Sequence, residues 1–285
     1  MSVRGRIRLA GIGLIWRVGE RLPHDARERV CRTGALLLYR LPLPGIARWA
    51  ENHRRVLGDS PTPAERRLLV ESWLRNNLMS LSLATWRDDE VLARVRIRPD
   101  HLERLRESMA GPGLVMALPH MGSWDLAGAW AARVGFRVSS VAERLPSGLF
   151  ERFRAARERM GMTIHAYGGD QTMALLEADV RAGRLVCLLA DRDLSGRGVE
   201  VPWPTDDHPL VVRVPAGPAL LARRTGADLR VAVAIFHGDG IEILVSERIE
   251  VTGARETMTD VVAAFAEGIE RSPTSWLMLQ SIADA

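Results

Sequence analysis

The chain has 285 residues, a net charge of +4, 47% hydrophobic and 26% charged residues. That balance is ordinary for a soluble globular fold with enough chain to bury a substantial core. All 39 basic residues are arginine and none is lysine, which excludes lysine Schiff-base chemistry and a P-loop lysine. Arginine abundance alone names no partner, although guanidinium forks suit phosphates. The two cysteines, Cys31 and Cys187, lack a Cys-x-x-Cys spacing, so neither a zinc site nor a disulfide framework is indicated. Cys187, in the run Leu185-Val186-Cys187-Leu188-Leu189, reads as a small buried hydrophobe, and a reducing, cytoplasmic setting fits.

No run approaches the roughly 18 apolar residues needed to span a bilayer. The first 17 residues start basic like a signal peptide, but glycines and Arg17 break their apolar centre and no small-residue cleavage site follows, so secretion is not expected. Leu9, Ile12 and Trp16 share a helical face, with Arg4, Arg8, Arg17 and Arg21 around it. Such a segment can lie in an anionic membrane interface or dock on the protein's own core.

Residues 1–109 read as mainly helical. Gly34 to Tyr39 is apolar, Leu41 to Gly45 is a turn, and Ile46 to Leu57 is an amphipathic helix. Thr62 opens another helix, with Pro63 at its first position and Glu65 three residues after the cap, and the pattern runs to about Trp86. Trp49, Trp73 and Trp86 suit core or interface positions. From Gly111 strands and helices alternate. Strands are predicted over 114–118, 136–141, 163–167, 185–190, 229–236 and 241–245, and helices over 124–134, 147–160, 170–182, 215–225 and 255–271. Gly238-Asp239-Gly240 joins the last two strands as a tight hairpin, so the sheet is mixed. The expected fold class is α/β: a central mixed, mainly parallel sheet flanked by helices, with a helical N-terminal layer. One domain is expected over 1–285, with 1–109 as the layer and 110–285 as the catalytic core.

The stretch Pro119-His120-Met121-Gly122-Ser123-Trp124-Asp125 joins the 114–118 strand to a helix that Ser123 can cap. A histidine at a strand's carboxyl end and an acid in the following first turn lie on the ligand-facing edge of an α/β sheet. A neutral imidazole can take a proton from a hydroxyl near pH 7, and a carboxylate on its other nitrogen fixes the tautomer. The bland alternative is a turn histidine followed by an acid that complements the helix dipole. Glu143 and Arg144 close the second strand. Arg144 and Arg157 could clamp phosphates, whereas Arg152, Arg154 and Arg159 fit a solvated helix with i,i+4 pairs. Further on, Asp191-Arg192-Asp193 precedes a glycine-bearing loop and Val199-Glu200-Val201. Glu200 there needs either a partner or water. Asp191 and Asp193 also match the metal-binding Asp-x-Asp of nucleotide-sugar glycosyltransferases, which supplies a rival reading.

Taken together, these blocks resemble the lysophospholipid acyltransferase superfamily. The lauroyl/myristoyl acyltransferase branch is nearest, especially its phosphatidylinositol mannoside acyltransferases. The resemblance rests on Pro119 to Asp125, Ala142-Glu143-Arg144-Leu145, Arg157 to Met162, Ala190 to Leu194, Gly198 to Val201 and Pro215 to Ala222, in order, over roughly residues 40–280. It implies that His120 is the general base and that a carboxylate serves it. The mannoside branch draws this carboxylate from the Val-Glu-Val strand, here Glu200, with Asp125 then shaping the site. The sequence leaves both Glu200 and Asp125 as candidates for the acid in contact with the imidazole. Glu143, Arg144, Arg157 and Arg192 become candidates for binding the acceptor headgroup or the donor's phosphates. The implied reaction is O-acyl transfer from long-chain acyl-CoA, a co-substrate, to a sugar hydroxyl of a membrane glycolipid in a ternary complex. Ser123 lacks a nucleophile elbow. No metal, other cofactor or nucleic-acid partner is expected. The basic N-terminus then favours peripheral docking on the cytoplasmic face of the cell membrane, the inner membrane surface. The segment Pro202 to Pro209 departs from the lipid A branch, which has a Phe-Phe-Gly-like stretch there.

Overall fold

The computed structural model of the protein describes residues 21–144, 149–169, 171–205 and 209–282. The basic N-terminal segment, with Leu9, Ile12 and Trp16, lies outside them. Three helices begin the described chain: α1 (His24–Leu38), α2 (Pro44–Leu57) and α3 (Pro63–Ser82). The α3 start follows from its sequence. Thr62 and Glu65 form a reciprocal capping box, with Glu65 N–H donating to Thr62 Oγ1 at 3.2 Å and Thr62 N–H to Glu65 Oε2 at 2.7 Å, an arrangement worth about 1 kcal/mol. The helix ends at Ser82, and a 3-10 turn over Leu83–Thr85 carries the chain to Trp86. After α4 (Asp88–Ala93) comes β1 (Val95–Ile97), a short strand inside the stretch that reads as helical.

Then follow α5 (Pro99–Ala110), β2 (Leu114–Leu118), α6 (Trp124–Arg133), β3 (Val138–Ala142), α7 (Leu149–Arg159), β4 (Thr163–Ala166), α8 (Thr172–Arg181) and β5 (Leu185–Leu189). The chain continues through β6 (Val199–Trp203), β7 (Leu210–Val214), α9 (Gly217–Thr225), β8 (Asp228–His237), β9 (Gly240–Val245) and α10 (Ala254–Arg271). The fold is α/β, with a seven-stranded sheet in the order β1-β9-β8-β2-β5-β3-β4. Its strands are parallel except for the β8–β9 hairpin, where His237 faces Gly240. The turn Gly238-Asp239-Gly240 makes the sheet mixed, as its sequence predicts. Strands β6 and β7 stand apart as a two-stranded antiparallel sheet.

The central strand β2 has its first four residues buried and lies between β8 and β5. Covered on both faces, it reads as a continuous apolar run with no alternation. Helix α10 lies close on the sheet: a Cβ on Gly268 would stand 2.6 Å from Val233. The N-terminal layer is bound to the far end of the chain. Trp49, fully buried on α2, donates its indole N–H to Trp276 O at 2.9 Å. Asn52 Nδ2 donates to Met278 O at 3.1 Å and Gln280 O at 2.7 Å, and Asn52 Oδ1 accepts from Ile282 N–H at 3.2 Å. Both ends of this buried amide are thus used, which explains an asparagine 1% exposed in an apolar layer. Trp86 is also buried, held between Arg27 and Arg94 at 4.7 and 5.1 Å from its ring centroid, whereas Trp73 is 39% exposed.

Candidate active site

Register builds the site. Strands β2 and β5 are neighbours with Leu118 opposite Leu189, and Ala190 N–H donates to Leu118 O at 2.8 Å. His120 and Asp191 lie the same distance beyond those paired residues, at the carboxyl edge of a parallel sheet whose strands are about 4.8 Å apart. His120 Nδ1 stands 2.5 Å from Asp191 Oδ1, and the His120 backbone N–H donates to Oδ2 at 2.8 Å. The Trp276 indole N–H donates to the same Oδ2 at 3.0 Å. The Asp191 side chain is 0% exposed and the His120 side chain 22%. Burial pushes the Asp191 carboxyl up, but the His120 ring, the Trp276 indole and the His120 amide outweigh it and hold the pKa below the usual value.

The turn after β2 is fixed by its residues. Gly122 has φ +60°, and a Cβ there would stand 2.3 Å from Ala234 O on β8, so only glycine fits. Gly122 N–H donates to Ser275 O at 2.8 Å, and Leu277 N–H donates to His120 O at 2.7 Å. The C-terminal segment therefore grips the turn on both sides of His120. Ser123 caps α6 by accepting from Leu126 N–H at 3.4 Å. Trp124 meets the His120 ring edge-on, with centroids 5.5 Å apart.

The imidazole's carboxylate is thus Asp191. Glu200, which the resemblance points to, accepts from Arg213 Nη2 across the β6–β7 hairpin at 2.6 Å; the two side chains are 59% and 37% exposed. Asp125, buried in the first turn of α6, accepts from Arg157 Nε at 2.6 Å and Nη2 at 3.3 Å, and from Ser80 Oγ at 2.7 Å. Burial works against the charge on Arg157, yet Asp125 more than compensates and raises its pKa. Arg157 is the part-buried partner of the motif acid, whereas Arg152 and Arg159 on α7 are exposed and Arg154 pairs with Glu151 at 3.0 Å. Glu143, at the end of β3, pairs with Arg192 Nη2 at 3.1 Å, and Arg192 also donates to Gln280. Arg144 beside it is exposed. Since β5 neighbours both β2 and β3, His120, Asp191, Arg192 and Glu143 line adjoining strand ends. Asp125 and Arg157 buttress α6 behind them, and Glu200 sits on the separate hairpin.

The Asp-x-Asp pair serves the loop. Asp193 Oδ1 accepts from Ser195 N–H at 2.9 Å and Ser195 Oγ at 2.7 Å, and Oδ2 accepts from Gly198 N–H at 2.7 Å. With Asp191 taken by His120 and Trp276, both carboxylates spend their oxygens on protein donors, a poor donor set for a metal–nucleotide. No group of three or more metal-capable side chains occurs among the described residues. Cys187 has no polar partner among the described residues, and burial pushes its thiol up to about 12, in keeping with a packing role. Sequence reasoning missed Trp276, Ser80 and Gln280. It met Asp191 as half of a metal motif and as part of the Ala190–Leu194 block, with no role beside His120. Equal offsets from two apolar strands were the signal that could have joined Asp191 to His120.

This arrangement can accept a proton from a bound hydroxyl. With Nδ1–H turned to Asp191, the second ring nitrogen is the basic one. Residues 4–282 match the family described as bacterial lipid A biosynthesis acyltransferase. A phosphatidylinositol mannoside acyltransferase of Mycobacterium tuberculosis is 35% identical over 276 residues, covering 93% of this chain and 85% of the relative. A protein of the same description from Mycolicibacterium smegmatis is 33% identical over an alignment of 297 residues, covering 98% of this chain and 94% of the relative. With a match over nearly its whole length and relatives at this level of identity, the chain belongs to the bacterial lipid A biosynthesis acyltransferase family.

Proposed function

We propose that the protein moves a long-chain acyl group from acyl-CoA to a sugar hydroxyl of a membrane glycolipid, a mannose of a phosphatidylinositol mannoside, with His120 as general base. The observation that carries this is His120 set against the buried Asp191 at the carboxyl ends of adjoining strands, in a chain of this acyltransferase family. In the proposed step His120 Nε2 takes the proton of the acceptor hydroxyl as its oxygen bonds to the thioester carbonyl carbon. The tetrahedral intermediate collapses, the carbon–sulfur bond breaks, and the proton passes from the imidazolium to the departing thiolate. Asp191 stabilises the imidazolium.

The Met121 and Gly122 amides already bond Pro119 O and Ser275 O. The Trp124 and Asp125 amides at the start of α6, which have no intrahelical acceptor, and Arg192 Nε, which has no hydrogen-bond partner among the described residues, are then the donors for the oxyanion. Arg144 and Arg192 offer charge for donor phosphates or the acceptor headgroup, beside Glu143 for sugar hydroxyls. Asp125 and Arg157 hold the α6 start in place.

As part of this proposal, the membrane glycolipid acceptor is reached at a membrane surface. No helix among the described residues is long and apolar enough to cross a membrane. Leu36, Leu37, Leu41 and Leu43 are 55%, 69%, 46% and 40% exposed, with Arg32, Arg40 and Arg48 exposed around them, a combination suited to an anionic interface. Purified protein given palmitoyl-CoA and a phosphatidylinositol mannoside should yield an acyl-glycolipid by mass spectrometry, and His120→Ala should yield none while staying folded. Turnover with acyl-acyl carrier protein alone would move the donor assignment. Full activity in His120→Ala would overturn the reading.

A further inference from the structure

We propose that Trp276 is a positioning residue for the acyl transfer: its indole N–H fixes Asp191 so that the carboxylate presents His120 in one orientation and one tautomer. The inference rests on the reading of His120 as the base. Asp191 Oδ2 has two donors, the His120 amide at 2.8 Å and the Trp276 indole at 3.0 Å, while Oδ1 meets the ring at 2.5 Å. The Asp191 side chain is wholly buried, so no solvent can replace a lost donor without opening the site. The other charged groups around the pair are engaged elsewhere: Arg157 with Asp125, Arg192 with Glu143, and Asp193 with Ser195 and Gly198. Trp276 is therefore the one side chain, besides His120 itself, that donates to this carboxylate among the described residues.

The same short segment also fixes the histidine. Leu277 N–H bonds His120 O and Gly122 N–H bonds Ser275 O, so Met121 and Trp276 form an antiparallel bridge. Ring and carboxylate are thus referenced to one piece of backbone. That piece is immobilised in turn. Trp276 is 1% exposed and stacks on Trp203 with centroids 6.1 Å apart at 30°, and its carbonyl accepts from the Trp49 indole at 2.9 Å. A tryptophan needed only for packing could give its N–H to any backbone carbonyl. Here the N–H goes to the carboxylate that serves the base.

Removing that N–H has a direction that packing does not share. A donor on the ionised carboxylate favours the deprotonated form of the coupled His120–Asp191 pair. Without it the pair holds its protons more tightly, so the acid limb of the rate profile moves to higher pH. Trp276→Phe keeps the stacked ring and deletes the N–H. With full-length protein, palmitoyl-CoA and a phosphatidylinositol mannoside, kcat should fall about tenfold, the size of one hydrogen bond to a charged group, with KM for the thioester held and the acid limb raised. Trp49→Phe, which loosens the segment but leaves the Asp191 contact, should lower the melting temperature without moving the limb. A wild-type profile in Trp276→Phe, or a uniform loss of rate with an unmoved limb, overturns the proposal.

Should Trp276→Phe fail to fold, native protein decides. The Trp276 indole cross-peak in a proton–nitrogen spectrum should shift with the midpoint of the His120 ring signals, and an indole indifferent to that titration overturns the proposal. Activity in His120→Ala is a separate result, which removes the functional reading and this inference with it.

Discussion

Two histidine–aspartate pairs of nearly equal length occupy different surroundings in this sheet. His120 and Asp191 meet at 2.5 Å beyond the ends of β2 and β5, and His165 and Asp179 meet at 2.6 Å between the edge strand β4 and α8. Asp179 is also claimed by Arg184 Nε at 3.2 Å and by the Ser139 hydroxyl, and its side chain is 14% exposed. Its charge is shared with a cation, and its work is to bolt α8 onto β3 and β4. Among the described residues no arginine pairs with Asp191, its side chain is unexposed, and it has only N–H donors beside the ring, so its charge is directed at the imidazole. Proximity alone does not make a base. A strand-end position, a carboxylate without a competing cation and a backbone grip on the turn distinguish the first pair from the second.

The largest effect should fall on that distinction. His120→Ala should lower kcat about 10³-fold, within the usual range for a lost general base, in a protein that stays folded with a lowered melting temperature, because the buried Asp191 loses its ring partner. His165→Ala should keep kcat within about twofold while losing about 1–2 kcal/mol in urea unfolding, the cost of a partly buried charged hydrogen bond. An inactive but fully stable His165→Ala would erase the contrast. Next comes Asp125→Asn. It leaves the part-buried Arg157 guanidinium without its counter-charge and should cost about 3 kcal/mol of stability, read as a lowered melting temperature, with any loss of activity following from a displaced α6. Glu200→Gln should do least. An ion pair as exposed as Glu200–Arg213 contributes under about 1 kcal/mol, so activity and stability should both stay near wild type. A large loss of kcat there would return Glu200 to the role that the family resemblance implies.

Much of this was legible in the sequence. The apolar run between Gly113 and Pro119 places β2, the apolar run 185–189 places β5, Thr62 with Glu65 places the α3 start, and Gly238 to Gly240 places the hairpin. The strand β1 was not legible, because Val95-Arg96-Ile97 is too short to show a period and becomes a strand only by pairing with β9. Of the site, the His120 turn and its Ser123 cap were visible. The partner was not, because which strands lie side by side is a tertiary fact, and only the β2–β5 register sets His120 beside Asp191. Arg157 reads from the sequence as a phosphate clamp, whereas the fold sets it against Asp125, 32 residues away. Trp276 lies past the last helix in a segment without periodicity, and nothing in its neighbours hinted at a carboxylate.

The pH dependence of kcat/KM in Asp191→Asn, set beside wild type, tests most directly that His120 acts as a base served by Asp191. Exchanging the carboxylate for an amide removes the charge that favours the imidazolium. The account predicts a fall in kcat/KM of about 10²-fold or more, with the acid limb displaced to lower pH. An Asp191→Asn enzyme with wild-type rate and an unmoved acid limb would contradict it.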